Sequence, residues 1–236
     1  MTHDHIVKSF DDQLALLDSK IAEMGGMAES LVADSIDALS RRDAELAGTV
    51  IKGDAKLDAL ENDINDITER VIALRQPMAE DLRAVIAALK ASSDLERIGD
   101  LATNIAKRAI TVAKAPPVAT TVTVVRMGVI VQGMIKTALD AYVARDAELA
   151  MDVWKRDEEV DQLHTSLFRE LLTYMMENPR NITPCAHLLF VAKNLERIGD
   201  HVTNIAERVY YRVTGEPPES DRLKEDQSSF TVVRSN

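Results

Sequence analysis

The chain is written twice. LERIGD stands at 95–100 and again at 195–200, and TNIA follows it at 103–106 and 203–206. RDAELA stands at 42–47 and again at 145–150. The order of the blocks is kept, and the offset between copies drops from 103 to 100 residues, as one shorter loop in the second copy would produce. A tandem duplication accounts for this. It also restricts the fold, because whatever one half builds the other must build too. The halves are read as residues 1–115 and 121–214. They are joined by a short linker, 116–120, stiffened by Pro116 and Pro117.

Each half reads as three long helices. Phe10, Leu14, Leu17, Ile21, Met24, Ala28 and Leu31 step by alternating fours and threes. So do Leu46, Val50, Gly53, Leu57, Leu60, Ile64, Ile67, Val71 and Leu74. Such stripes are the seams of amphipathic helices packed at shallow angles. Pro77 separates the second helix from a third that runs from about Ala79 to Val112, with Leu82, Val85, Leu89, Leu95, Ile98, Ala102 and Ile105 inward. In the second half Leu149, Val153, Val160, Leu163, Leu167 and Tyr174 line the middle helix. Asn178-Pro179 ends that helix, and Thr183-Pro184 has the form of a cap for the last one. Hydrophobic residues make up 46% of the chain but aromatics only 4%, which suits cores of packed aliphatic helices. The fold class is therefore all-α, two tandem three-helix bundles. Each is too small to be strongly stable alone, so the two are expected to pack together. Residues 215–236 lose the periodicity and are expected to be a mobile polar tail.

The net charge of −11 argues against nucleic acid as a partner and against an anionic membrane surface. It suits solubility, cations or a basic protein partner. The single Cys185 forms no internal disulfide, which fits a reducing cytoplasm. The N-terminus lacks the apolar run of a signal peptide, and no uninterrupted apolar stretch is long enough for membrane insertion.

The repeated acids carry the chemistry. On the third helix Glu96 and Asp100 are four apart, so they share a face, and Asn104 continues the stripe. The second copy supplies Glu196, Asp200 and Asn204. The middle helix carries Asp54 and Asp58, extended by Glu61, and its copy carries Asp157, Asp161 and His164. Both middle-helix stripes lie one position past the apolar seam. If the second and third helices are neighbours, four carboxylates converge in each half. Clustered anions repel unless a cation lies between them. Carboxylate oxygens suit magnesium and manganese, and iron or zinc where a nitrogen ligand joins them. The same acids also read as a solvated helix face neutralised by Arg97, Arg108, Arg197 and Arg208, and spacing alone leaves both readings open. Gly99 and Gly199, inside helices at a cost of ~1 kcal/mol relative to alanine, call for a close approach beside the acids.

The remaining conspicuous residues are expected to be structural. His3 and His5 read as solvated, His187 as packed in the core, and His201 as pointing away from Asp200. Trp154 and the tyrosines read as packing anchors, and Met24, Met27, Met175 and Met176 as core filler. No phosphate loop, nucleophile elbow or zinc-protease motif is present, so enzymatic activity is not expected.

The doubled LERIGD and TNIA on a duplicated three-helix plan resemble the PhoU family over about residues 6–214, through LERIGDLATNIAKR at 95–108 and LERIGDHVTNIAER at 195–208. The resemblance implies that Glu96/Asp100, Glu196/Asp200 and the companion pairs Asp54/Asp58 and Asp157/Asp161 hold a multinuclear metal such as iron, zinc, manganese or magnesium. Glu61, His164, Asn104 and Asn204 would be additional ligands. It further implies a cytoplasmic adaptor that restrains phosphate uptake and the phosphate-starvation response when phosphate is plentiful. Its partners would be the ATPase subunit of the phosphate ABC transporter and the sensor histidine kinase of the phosphate regulon, with a homodimer as a further assembly. The alternative is a carboxylate-bridged metalloprotein of ferritin-like type. That class uses Glu-x-x-His pairs on facing helices, and this chain offers only Asp161-x-x-His164.

Overall fold

A computed structural model describes the backbone of residues 2–218 and the side chains of residues 11–218. The side chains of His3, His5 and Phe10 and the expected tail beyond residue 218 lie outside the described residues. The described residues form six α-helices: α1 Thr2–Arg41, α2 Ala44–Arg75, α3 Ala79–Val112, α4 Thr121–Ala144, α5 Ala147–Glu177 and α6 Ile182–Thr214. One 3-10 turn, Pro179–Asn181, precedes α6.

The two RDAELA blocks are the turns from α1 to α2 and from α4 to α5. Arg42 and Arg145 take left-handed backbone, with φ of 58° and 53°, and this reverses the chain. The next residue then caps the new helix. Asp43 accepts from the N–H groups of Glu45 and Leu46, both at 2.9 Å, and Asp146 accepts from Leu149 at 3.0 Å. These bonds satisfy donors that a helix start leaves without partners, and Glu45 and Glu148 add favourable negative charge in the first turn.

The entry into α6 differs from the expected Thr183-Pro184 cap. The Asn178 side chain accepts from the Arg180 N–H at 3.0 Å, and the 3-10 turn feeds directly into α6. Thr183 lies inside the first turn, and Pro184 is buried at the third helical position. A backbone N–H there would lack an intrahelical partner, so the proline sacrifices no bond.

In the first half α1 packs on α2 and α3; in the second, α4 packs on α5 and α6. Leu17, Ile21, Met24, Val50, Leu57 and Ile64 are buried in the first core, and Val153, Val160 and Leu167 in the second. Three expected core positions are instead exposed: Leu74 at 73%, Leu82 at 39% and Met176 at 58%. Each lies within about a turn of a helix end, where the stripe runs past its packing partners. The helix α4 is long and apolar enough to cross a membrane by length and composition. Here it packs on α1, α5 and α6 and buries Met127, Val131, Met134 and Ile135.

The halves join through α3 on α6 and α1 on α4. An ion pair fastens one edge of that junction. Arg212 of α6 donates Nη1 to Oδ1 of Asp18 in α1 at 2.9 Å and Nη2 to Oδ2 at 2.8 Å. Tyr142 of α4 donates its hydroxyl to the same Oδ1 at 3.0 Å, and its ring centroid lies 5.0 Å from the Arg212 Cζ. Burial alone would raise the Asp18 carboxyl, but Arg212 and the Tyr142 hydrogen bond hold it below its ordinary value. Arg212 itself is only 5% exposed.

Replacing Asp18 with alanine leaves that guanidinium buried without its carboxylate. Asp18→Ala is expected to lower the unfolding free energy by about 3 kcal/mol, measured by denaturant titration. Because the folded carboxyl titrates low, its contribution is present above the ordinary value of 3.8 and lost as pH falls through the lower folded value. The gap between parent and variant should therefore close in acid.

Candidate functional site

The two LERIGD helices lie against each other. Asp94, just before the first LERIGD, meets α6 across the junction. Its Oδ1 lies 2.9 Å from Nδ1 of His201 and accepts from Nδ2 of Asn204 at 3.3 Å, and its Oδ2 accepts from Nε of Arg208 at 3.2 Å. Farther along α3, Arg108 meets His187 and stacks on Phe190. Increasing number on α3 thus pairs with decreasing number on α6. The helices run antiparallel, and the two LERIGD blocks sit opposite each other.

The acids of each block face the other way, toward the middle helix of their own half. Burial pushes the carboxyls of Asp54, Glu61 and Glu96 above their ordinary values, and the charges of Asp58 and Asp100 push all three further. Five carboxylates from α2 and α3 therefore share one field. Lys107 and the Thr103 hydroxyl partly offset it at Asp54. Arg97 does so at Glu96 and Asp100, with Nε 3.3 Å from Oε2 of Glu96 and Nη1 3.2 Å from Oδ2 of Asp100. Arg97 is largely exposed, so water screens these pairs. Asn104 is also exposed.

The second site has the same plan and a deeper setting. Asp157, Asp161, His164 and Glu196 are 2%, 2%, 3% and 6% exposed, whereas Asp58 in the first site is open to solvent. Phe168 and Lys193 line the surface beside His164, where the first copy has Asn65 and Ser93. Nζ of Lys193 reaches Oε2 of Glu196 at 2.8 Å. Burial raises the Glu196 carboxyl and Asp200 adds to this, while Lys193 and His164 oppose it. Asn204 does not continue the stripe here, because its amide is bonded to Asp94 across the junction.

The glycines set the approach of the two helices. A Cβ on Gly99 would stand 2.2 Å from Cδ2 of Leu57 and 3.4 Å from Oδ1 of Asp54. One on Gly199 would stand 2.9 Å from Oδ1 of Asp157. In the first half the missing side chain makes room for Leu57 beside the acids, and in the second it lets Asp157 settle over the LERIGD helix.

Sequence reasoning placed the eight principal acids on facing helices and missed the role of Lys193, although its spacing of three from Glu196 on one helix is a readable signal. Of the four arginines offered as neutralising partners, Arg97 takes that part, while Arg108 and Arg208 belong to the α3–α6 junction. His187 is half-buried against Arg108, not enclosed in the core. His201 points away from the acidic site, to Asp94. Among the described residues no group of three or more His, Cys, Asp or Glu side chains is gathered as a ready metal-ligand set. Cys185 is fully buried, and burial raises its thiol, so it is a poor nucleophile.

Two like three-helix halves, packed through their third helices and each with an acidic site between its second and third, define a duplicated all-α protein with paired acidic sites. The PhoU domain model matches the chain twice, at residues 21–109 and 124–209, and the chain belongs to the PhoU family. It is 55% identical over 224 residues to a phosphate-specific transport system accessory protein PhoU homolog of Caulobacter vibrioides, covering 94% of this chain and 97% of that one. A homolog of the same description from Rhizobium meliloti is 50% identical, with 97% of each chain covered. The crystal structure of PhoU from Pseudomonas aeruginosa superposes with a TM-score of 0.85 at 41% identity, covering 88% of this chain and all 100% of that one. The phosphate transport system regulatory protein PhoU from Streptococcus pneumoniae gives 0.83 at 28% identity, with 89% and 100% covered.

Two outcomes follow from the site geometry. Carboxyls raised by folding favour the folded state below their ordinary pKa values, and this stability is lost as pH rises through the raised ones. Glu96→Gln, measured by thermal melting of metal-free protein at pH 7, should therefore raise the midpoint by about 2 °C. Gly199→Ala should lower stability by about 1–2 kcal/mol, because the methyl displaces the buried Asp157 carboxylate by more than helix propensity returns.

Proposed function

We propose that this chain is a cytoplasmic regulator of phosphate uptake. When phosphate is plentiful it links the ATPase subunit of the phosphate ABC transporter to the sensor histidine kinase of the phosphate regulon, and it holds the starvation response off. The observation that carries the reading is the 55% and 50% identity, over nearly the whole chain, to proteins described as accessory to the phosphate-specific transport system. The physical character of the molecule supports it. A rigid, acidic helical body with its halves locked by Asp18 and Arg212 suits a part that acts through contacts with other proteins.

The acidic sites would hold metal. The donor types suit it: the carboxylates of the two helices raise one another, and a cation would draw them together and relieve that repulsion. Asp54, Asp58, Glu96 and Asp100, with Glu61, would hold the ion or ions of the first half. Asp157, Asp161, Glu196 and Asp200, with His164, would hold those of the second. Iron and zinc suit the second set, which offers a nitrogen; magnesium and manganese suit the all-oxygen first set. The bound cations would supply positive charge that braces each middle helix against its LERIGD helix.

Deleting the gene should release alkaline phosphatase expression in high phosphate; unchanged repression in a strain with no second copy would sink the adaptor reading. A pull-down should recover the transporter ATPase and the cytoplasmic part of the kinase. The metal reading has its own readout. Untagged protein purified without chelators should carry at least one metal per chain by elemental analysis, and Glu96→Ala with Asp200→Ala should remove most of it.

A further inference from the structure

Arg108 and Arg208 hold matching places in the two copies, but their surroundings differ. At one end of the α3–α6 groove Phe190 lies over Arg108, its ring centroid 4.1 Å from Cζ, with Nδ1 of His187 3.5 Å from Nη1. At the other end the positions matching Phe190, His187 and Thr183 hold Lys90, Ala87 and Arg83. The groove there is left open as a cleft of about 230 Å³. Its cationic lining is Arg83, Lys90 and Arg208; Glu207 is the single acid among the lining residues. Ile86, Tyr211 and the Pro217-Pro218 pair supply an apolar wall.

These cations are only partly engaged. Arg208 commits its Nε to Asp94. Arg83 keeps its Nε buried with no hydrogen-bond acceptor. Lys90 stands exposed at the rim. With Asp94 answering Arg208 and Glu207 at the lining, three cations still outnumber two acids, a basic spot on a chain of net charge −11. Two guanidinium groups and an ammonium reach the cleft from two different helices. A flat carboxylate is satisfied by one guanidinium, whereas a tetrahedral oxyanion can take donors from several directions. The cleft is small beside ordinary ligand pockets, which disfavours a nucleotide.

We propose that this cleft binds a phosphate group, carried by inorganic phosphate or by a small phosphomonoester whose carbon lies on the Tyr211 and proline wall. Asp94, Lys90 and Arg83 share one face of α3, about a third of a turn from Glu96 and Asp100. The cleft is thus separate from the acidic sites and does not depend on any metal there.

Calorimetric titration of metal-stripped, full-length protein tests this with inorganic phosphate, glycerol phosphate and sulfate. Saturable binding of one of the two phosphates, with a dissociation constant of about 1 mM or tighter, is expected. The tighter of the two identifies the source. Arg83→Gln and Lys90→Gln should each weaken it about tenfold. Lys90 is exposed, so its variant stays folded even if Arg83→Gln does not. Asp100→Asn and Lys136→Gln should leave binding unchanged. The proposal is overturned by either of two results: no saturable binding, or equal loss in Asp100→Asn.

Discussion

The packing of α3 against α6 is the contact on which the other features depend. Each LERIGD helix must satisfy two neighbours at once. Asp94 and Arg108 look toward the opposite half, while Gly99 and the acid pair look toward the middle helix of their own half. These faces lie about half a turn apart on one helix. Strengthening one face cannot be done by borrowing residues from the other, so each stretch is heavily constrained. That is a physical reason for the same six letters to stand in both copies.

The acidic sites run against the stability that the junction provides. Burial and mutual repulsion both raise Asp54, Glu61 and Glu96, so a bare first site at neutral pH stores unfavourable charge. The two copies handle the load differently. The first leaves Asp58 in water and places an exposed arginine between Glu96 and Asp100. The second closes over its acids and sets Lys193 on Glu196 beside His164. Water and salt relieve the first arrangement; fixed internal charge relieves the second. The proposed cations would accordingly exchange more readily in the first half than in the second.

Much of this was legible before any coordinates. The seam stripes placed the helices, because a repeat of three and four admits little else, and the limits of α3 agree with the reading from Pro77 and the stripe. The acids were placed on facing helices because duplicated spacing fixes their faces. What could not be read depends on contacts between residues far apart in the chain. Nothing local marks Asp94 as the partner of His201, Asn204 and Arg208. Nor does anything local mark Phe168 and Lys193, from different helices, as neighbours of His164. The exposure of Leu74 and Leu82 follows from where neighbouring helices stop, which periodicity does not encode. The start of α6 was misplaced because Thr-Pro is a strong local cap signal, and the turn from Asn178 overrode it.

A duplicated scaffold by itself would present two equivalent faces. Departures from symmetry remove that equivalence, and among them are changes at the groove ends and around the acidic sites. His187 and Phe190 lie against Arg108 at one end of the groove, whereas Arg83, Ala87 and Lys90 leave the other end basic and open. Glu61 against His164 and Ser93 against Lys193 separate an open acidic site from an enclosed one. The proposed link between two different proteins would need faces that neither partner can mistake. The repeated blocks keep both halves folded alike, while exchanged side chains make their surfaces chemically distinct.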